Sequence, residues 1–184
     1  MSDSEPNSFS DQELIQSANA GEPDAFEQLY YRYRDWVYNL AWRFTGDRDQ
    51  AMDVLQETFA YLLQKFPGFV LTARMTTFLY PVVKHLSIAV RDKGRRFASS
   101  DESLDEIPKP PQAHATADRQ ELSAVLAVLP VGQREVLLLR FVDGLSLKEI
   151  AKALEIPSGT VKSRLHNALE TLRRDGRTRK YFLE

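Results

Sequence analysis

The stretch from Ser146 to Leu172, SLKEIAKALEIPSGTVKSRLHNALETL, leaves the chain few ways to fold. Ser146 with Glu149 three positions on is a capping box, so a helix starts there. Ile150, Ala151 and Leu154 form its inner face. Glu155-Ile156-Pro157 turns the chain, and Ser158 is placed to cap a second helix. On that helix Val161, Leu165, Ala168 and Leu172 recur at helical spacing and point inward. Thr160, Lys162, Ser163, Arg164, His166 and Asn167 are left on outer or flanking positions. A short helix, a tight turn and a polar, basic second helix predict a helix-turn-helix.

Helical punctuation continues through the rest of the chain. Ser10 and Glu13 form a second capping box, and Gly21 can stop the short helix that follows. A long helix is predicted from about Pro23 to Thr45, with the stripe Phe26, Leu29, Tyr33, Val37, Leu40 and Phe44 and a stop at Gly46. The aromatic run Tyr30, Tyr31, Tyr33, Trp36, Tyr38 and Trp42 reads as packing rather than base stacking. Asp47 caps the next helix, whose predicted inner stripe is Met52, Leu55, Phe59, Leu62 and Phe66, broken at Pro67-Gly68. Another helix runs from about Thr76 or Thr77 to Arg91. Pro81 either lies in its first turn or kinks it. From Ala98 the pattern fails: Pro108, Pro110 and Pro111 stand among Ser99, Ser100, Asp101, Glu102, Asp105 and Glu106, a linker composition. Periodicity returns with Leu122, Val125, Leu126 and Leu129, then Val136, Leu137, Arg140 and Phe141, ending at Gly144. The expected fold is all-α: two small helical domains, 1–97 and 117–184, joined by an acidic, Pro-rich linker at 98–116.

The second helix of a helix-turn-helix enters the DNA major groove by its N-terminal part. Lys162 and Arg164 suit phosphates or guanine edges, and Ser158, Thr160, Ser163, His166 and Asn167 suit base edges. The bland alternative is a helical hairpin with a solvated outer face. A net charge of −2 argues against a free-standing nucleic-acid binder, but the charge is unevenly placed. Up to Tyr31 there are acids and no Lys or Arg, whereas bases dominate from Thr160 onward and in the knot Arg91, Lys93, Arg95 and Arg96. That asymmetry points to one anionic partner and a different partner for the acidic part.

Other classes fit poorly. Without cysteine there is no disulfide framework, thiolate metal site or cysteine nucleophile. His85, His114 and His166 are scattered, with no metal or triad spacing, and there is no Gly-Lys-Ser/Thr phosphate loop. Asp53 and Glu57, four apart, lack the third ligand a metal pair would need. No catalytic residue, cofactor or metal site is therefore expected. The polar N-terminus is no secretory signal, and no apolar run reaches the roughly 18–20 residues of a membrane span, so a cytoplasmic protein is expected.

The segment Leu129 to Arg174 resembles region 4 of sigma-70-type RNA polymerase sigma factors. The matching pieces are its Leu-Pro start, Gly144-Leu145-Ser146 and Thr160-Val161-Lys162-Ser163-Arg164-Leu165. The N-terminal lobe independently resembles region 2: Ala25-Phe26 through Tyr30 and Tyr33, then Asp53-Val54-Leu55-Gln56-Glu57-Thr58-Phe59, then Leu79-Tyr80 through Arg96. Order and spacing are similar to the compact extracytoplasmic-function (ECF) class. The resemblance implies that region 2 binds polymerase and opens the minus-ten element, while region 4 binds the duplex minus-thirty-five element. It implies polymerase contact by the outer face Asp49, Asp53, Gln56 and Glu57, opposite Met52, Leu55 and Phe59. It implies capture of a flipped minus-ten base by the loop Gly68 to Met75 and the following helix start, with Thr72, Arg74, Thr76 and Thr77 as hydrogen-bonding candidates. Lys84, His85, Arg91, Lys93, Arg95 and Arg96 would follow the DNA backbone, and Tyr80 is either core or site. Partners implied are core RNA polymerase, promoter DNA as duplex and melted strand, and an anti-sigma factor, with no membrane insertion. Phe78, Pro81, His85, Ala89, Asn167 and Leu169 depart from the usual residues, so the promoter preference is this chain's own. The competing reading is a conventional helix-turn-helix regulator that binds a palindromic site without polymerase.

Overall fold

The structure, a computed structural model, describes residues 9–98 and 124–178, with 94–98 described by backbone alone. The described residues form helices and turns, without strands. In chain order the helices are α1 (Asp11–Asn19), α2 (Pro23–Thr45), α3 (Arg48–Leu63), α4 (Met75–Ala98), α5 (Val131–Phe141), α6 (Leu147–Leu154) and α7 (Ser158–Arg174). The expected linker lies outside the described residues except for Ala98, which ends α4.

Helix starts follow their side chains. The Ser10 hydroxyl accepts from Glu13 N while Ser10 N donates to Glu13 Oε2 at 2.7 Å. The Asp47 carboxylate accepts from Gln50 N at 2.9 Å. Gly46 closes α2 at φ 71°, a left-handed position that costs glycine nothing. The α2–α3 hairpin and α4 then enclose Leu29, Val37, Val54, Leu79 and Val83, each fully buried. Withdrawing each such side chain from water is worth about 1.5–3 kcal/mol, which outweighs the weak propensity of the β-branched valines.

Several elements differ from the sequence expectation. On α3 the inner stripe is Ala51, Val54, Leu55, Thr58, Phe59 and Leu62, and Met52 is 45% exposed. The stripe has the full i, i+3, i+4 width, so it takes in Ala51 and Thr58, whose small size hides them in the sequence. Helix α4 starts at Met75 and runs to Ala98, past the expected end at Arg91, so the basic knot is helical. Pro81 sits inside it with its ring on the exposed side. On α5, Arg140 and Phe141 are exposed, and the buried positions are Glu135, Val136, Leu137 and Leu139. Pro157, not Ser158, is the N-cap residue of α7, and Ser158 is its first helical residue. The two lobes, whose relative arrangement the sequence left open, pack on each other. Val136, Leu139, Leu145, Ile150 and Val161 join the N-terminal core in one apolar cluster, while Val125, Leu129, Leu137, Ala168 and Leu172 form a second.

Candidate nucleic-acid and polymerase interfaces

Helices α6 and α7 meet through a turn in which Glu155 takes a left-handed conformation, φ 54°. The start of α6 is held by the Ser146–Glu149 box, with Ser146 N donating to Glu149 Oε2 at 2.7 Å. Partial burial pushes the Glu149 carboxyl up. The Ser146 hydrogen bonds and the Arg74 charge outweigh it and leave the pKa below the ordinary value of 4.5. On α7, Val161, Ala168 and Leu172 anchor the helix by burial. Ser158, Lys162, Ser163, His166 and Asn167 are exposed together on its outer side, and Thr160 and Arg164 are half-buried. The Ser163 hydroxyl turns back to Gly159 O and Thr160 O, both at 3.1 Å. The Arg164 guanidinium lies across α5, where a Cβ on Gly132 would come within 3.0 Å of it. A side chain at Gly132 would make the guanidinium shift by a few tenths of an ångström.

The loop before α4 is held from α1. The Asn19 amide oxygen accepts from Gly68 N at 2.6 Å and Phe69 N at 3.0 Å, and its NH₂ donates to Phe69 O at 2.9 Å. Phe69 packs its ring at a tilt against Phe66, 5.4 Å between centroids, and Phe78, 4.9 Å, which fixes the loop base to the core. Thr72 and Arg74 are exposed, Thr76 is half-buried and Met75 is buried. Thr77 is 3% exposed and is therefore no surface group here: on α4 it falls on the inner side with Met75 and Leu79. It lines a groove with Phe78 and His85 on one side and Lys152 and Glu155 on the other. Along α4, Lys84 and Arg91 are half-buried, His85 and Lys93 are exposed, and Arg95 and Arg96 fall in the backbone-only segment. Asn19 had no sequence signal, because its partners lie about fifty residues away.

On α3, Asp49, Asp53, Gln56 and Glu57 share one exposed face, and Met52 lies among them. An apolar side chain ringed by acids is a different surface from the purely acidic one expected. Among the described residues no cluster of three or more His, Asp or Glu is placed to hold a metal ion, and no helix is long and apolar enough to cross a membrane.

Polar contacts tie the lobes together. The Asp143 side chain is 2% exposed; it accepts from Trp36 Nε1 at 2.9 Å and pairs both oxygens with Arg43 at 2.7 and 2.8 Å. Glu135 Oε1 accepts from the Tyr80 hydroxyl at 2.6 Å and from Lys84 Nζ at 2.5 Å. Burial first, then the Glu135 charge and hydrogen bond, push the Tyr80 phenol far up, so it stays a donor. Tyr80 is thus core, with its hydroxyl serving the C-terminal lobe. Lys152 Nζ donates to Thr72 Oγ1 at 3.0 Å, and Glu149 sits 3.6 Å from Arg74. Glu135 and Asp143 were missed in the sequence. An acid on the apolar side of α5 was the one available signal.

Comparison with known proteins identifies the architecture. The family model "Sigma-70 region 2" matches residues 29–97, and "Sigma-70, region 4" matches residues 119–172. The ECF RNA polymerase sigma factor SigW of Bacillus subtilis is 30% identical over 174 residues, 87% of this chain and 93% of that protein. The chain belongs to the ECF class of the sigma-70 family. The ECF sigma factor SigL of Mycobacterium tuberculosis is 34% identical over 165 residues, covering 86% of this chain and 93% of the relative. Two solved structures share the fold. CnrH, in complex with the cytosolic domain of CnrY, has a TM-score of 0.65 at 21% identity, over 88% of this chain and 93% of its own. RpoE of Bartonella quintana, in complex with the anti-sigma factor NepR, has a TM-score of 0.60 at 24% identity, over 80% and 94%. In this sigma factor the region 2 match takes in α3, the loop and α4, and the region 4 match takes in α5 to α7. Helix α1 and Asn19 precede both. The conventional-regulator reading is not favoured, because it leaves the region 2 match without a role.

Proposed function

We propose that this sigma factor directs core RNA polymerase to its promoters through three surfaces on two lobes. The α3 face Asp49, Met52, Asp53, Gln56 and Glu57 binds polymerase. The loop 68–74 with Thr76, Lys84, His85, Arg91, Lys93, Arg95 and Arg96 receives the melted minus-ten strand. The outer side of α7, with Ser158, Lys162, Ser163, His166 and Asn167, reads the minus-thirty-five duplex; Thr160 and Arg164 support it. The protein contributes no chemistry of its own and acts in the cytoplasm, where polymerase and promoter meet. An anti-sigma factor is a further expected partner, as RpoE has in its complex with NepR.

The observation that carries this reading is the α3 face. Four polar side chains and one exposed methionine share that face, each exposed among the described residues. An apolar centre with a charged rim is the composition of a binding hot spot, and the acids suit a basic clamp surface. The test is co-elution with core polymerase. Wild type is expected to join the core, Asp53→Arg/Glu57→Arg to fail, and Met52→Ser to bind about tenfold more weakly, a loss of about 1.4 kcal/mol. Because Met52 is exposed, its substitution should leave thermal stability unchanged. Retardation of duplex DNA by the protein alone, with no core binding, would instead favour the conventional regulator.

A further inference from the structure

We propose that the groove between α4 and α6 is a binding site for a free α-amino acid with an aromatic side chain, and that an occupied groove excludes the minus-ten strand. The exclusion rests on the sigma reading above; the binding does not.

The groove encloses about 670 Å³ between the two lobes. That lies within the roughly 300–1,000 Å³ of pockets that take small organic molecules. Phe78, Val82 and Leu86 of α4 line it half-buried, with Tyr61 of α3 beside them, so a ligand gains by bringing an apolar body. Thr77 lines it too. It is 3% exposed, and its hydroxyl has no hydrogen-bond partner. The buried Thr45 and Thr58 donate to the carbonyls four residues back, Ala41 and Val54, at 3.0 and 2.7 Å. The residue four before Thr77 is Ala73, outside α4, so the helix offers Thr77 no such acceptor. Buried polar groups are nearly always paired, and a polar tip on an apolar ligand would pair this one.

The mouth carries both signs of charge. Lys152 stands in the last turn of α6 and Glu155 at its C-cap, three positions on, both exposed and both lining the groove. Lys152 Nζ donates to Thr72 Oγ1 at 3.0 Å and to Thr72 O at 3.4 Å. An ammonium has three hydrogens, so one is left for a ligand. A simple acid would meet Lys152 but face Glu155, and a simple amine would meet Glu155 but face Lys152. A carboxylate and an ammonium on one carbon match both. An aromatic side chain then covers the apolar wall, and a phenol presents its hydroxyl to Thr77. His85 also lines the groove and belongs to the surface proposed for the minus-ten strand. A bound amino acid covers it and bridges α4 to α6, so ligand and strand compete.

The test titrates the full chain with four probes by calorimetry: L-tyrosine, L-phenylalanine, 3-phenylpropanoate, which lacks the ammonium, and 2-phenylethylamine, which lacks the carboxylate. L-Phenylalanine is expected to bind about fivefold more tightly than either singly charged probe, and L-tyrosine about fivefold more tightly again. Thr77→Val keeps the shape and should erase only the advantage of tyrosine. Lys152→Met, at an exposed position, should erase the preference for phenylalanine over phenylethylamine. Saturating L-tyrosine should lower the yield of open complexes with core polymerase on a promoter selected from a library. No binding of any probe overturns the site, as does an order of affinities that both variants leave unchanged. Binding with an unchanged yield of open complexes overturns the exclusion of the strand. Failure of the sigma reading looks different: no open complexes form with or without tyrosine, while the probe affinities still follow the substitutions, which supports the site.

Discussion

Asn19 shows how much one side chain can settle. Its amide uses donor and acceptor on two consecutive backbone units, at 2.6 to 3.0 Å, and so shapes the loop that leads into α4. Asn19→Ala should cost about 1–3 kcal/mol, since backbone groups lose their partners while Phe69 stays buried. Asn19→Asp keeps the acceptor for both N–H groups but sets a carboxylate against the Phe69 carbonyl, so it should recover part of the loss. Thermal unfolding measures the cost. Selection of promoters from a library reads the positioning role: Asn19→Ala should relax the minus-ten preference and leave the minus-thirty-five preference unchanged. A loss of stability with both preferences intact would make Asn19 purely structural. Nothing in the neighbouring sequence marks this residue, because Asn at a helix end is common and its partners are remote.

Helix ends were the most legible elements, because their physics is local. The boxes at Ser10–Glu13 and Ser146–Glu149, the Asp47 cap and the Gly46 stop all occur as expected from residues within three positions of each other. Helix faces were less legible. Met52 on α3 was expected inside and lies outside, because the small Ala51 and Thr58 carry the buried side. The Glu149 cap makes a prediction in pH. Its folded pKa lies below 4.5, its unfolded value, so its contribution is complete above about pH 4.5 and is lost as pH falls through the folded value. A capping contact of this kind is worth about 0.5–2 kcal/mol. Glu149→Gln should therefore lower the melting temperature near neutral pH, and the gap to wild type should close as the pH falls below 4.5 and through the lowered folded value. A gap that is constant across that range would show that the charge of Glu149 is not involved.

Across the molecule, the two lobes share one apolar cluster and two buried carboxylates, so they should unfold as one cooperative unit. Asp143→Ala leaves Arg43 and Trp36 facing an emptied, buried site. Breaking a buried pair from one side costs about 3–5 kcal/mol if the surroundings stay shut. Separating the lobes lets Arg43 hydrate and avoids most of that. The variant is therefore expected to show two calorimetric transitions where wild type shows one. A single transition merely shifted down would mean that the lobes stay docked. The linker composition divided the chain into two lobes and left their relative arrangement open, because composition carries no information about docking.

The helix-turn-helix, the order of the region 2 and region 4 resemblances and the acidic side of α3 were all readable along the chain, since they depend on periodicity and on neighbours three and four residues apart. The burial of Thr77, the core role of Tyr80, the Arg164 guanidinium over Gly132 and the engagement of Lys84 by Glu135 came only with the tertiary structure. Each depends on a partner in another element, up to about a hundred residues away for Trp36 and Asp143. Periodicity says which side of a helix is buried; which charges meet across the buried surface is settled by how the helices pack.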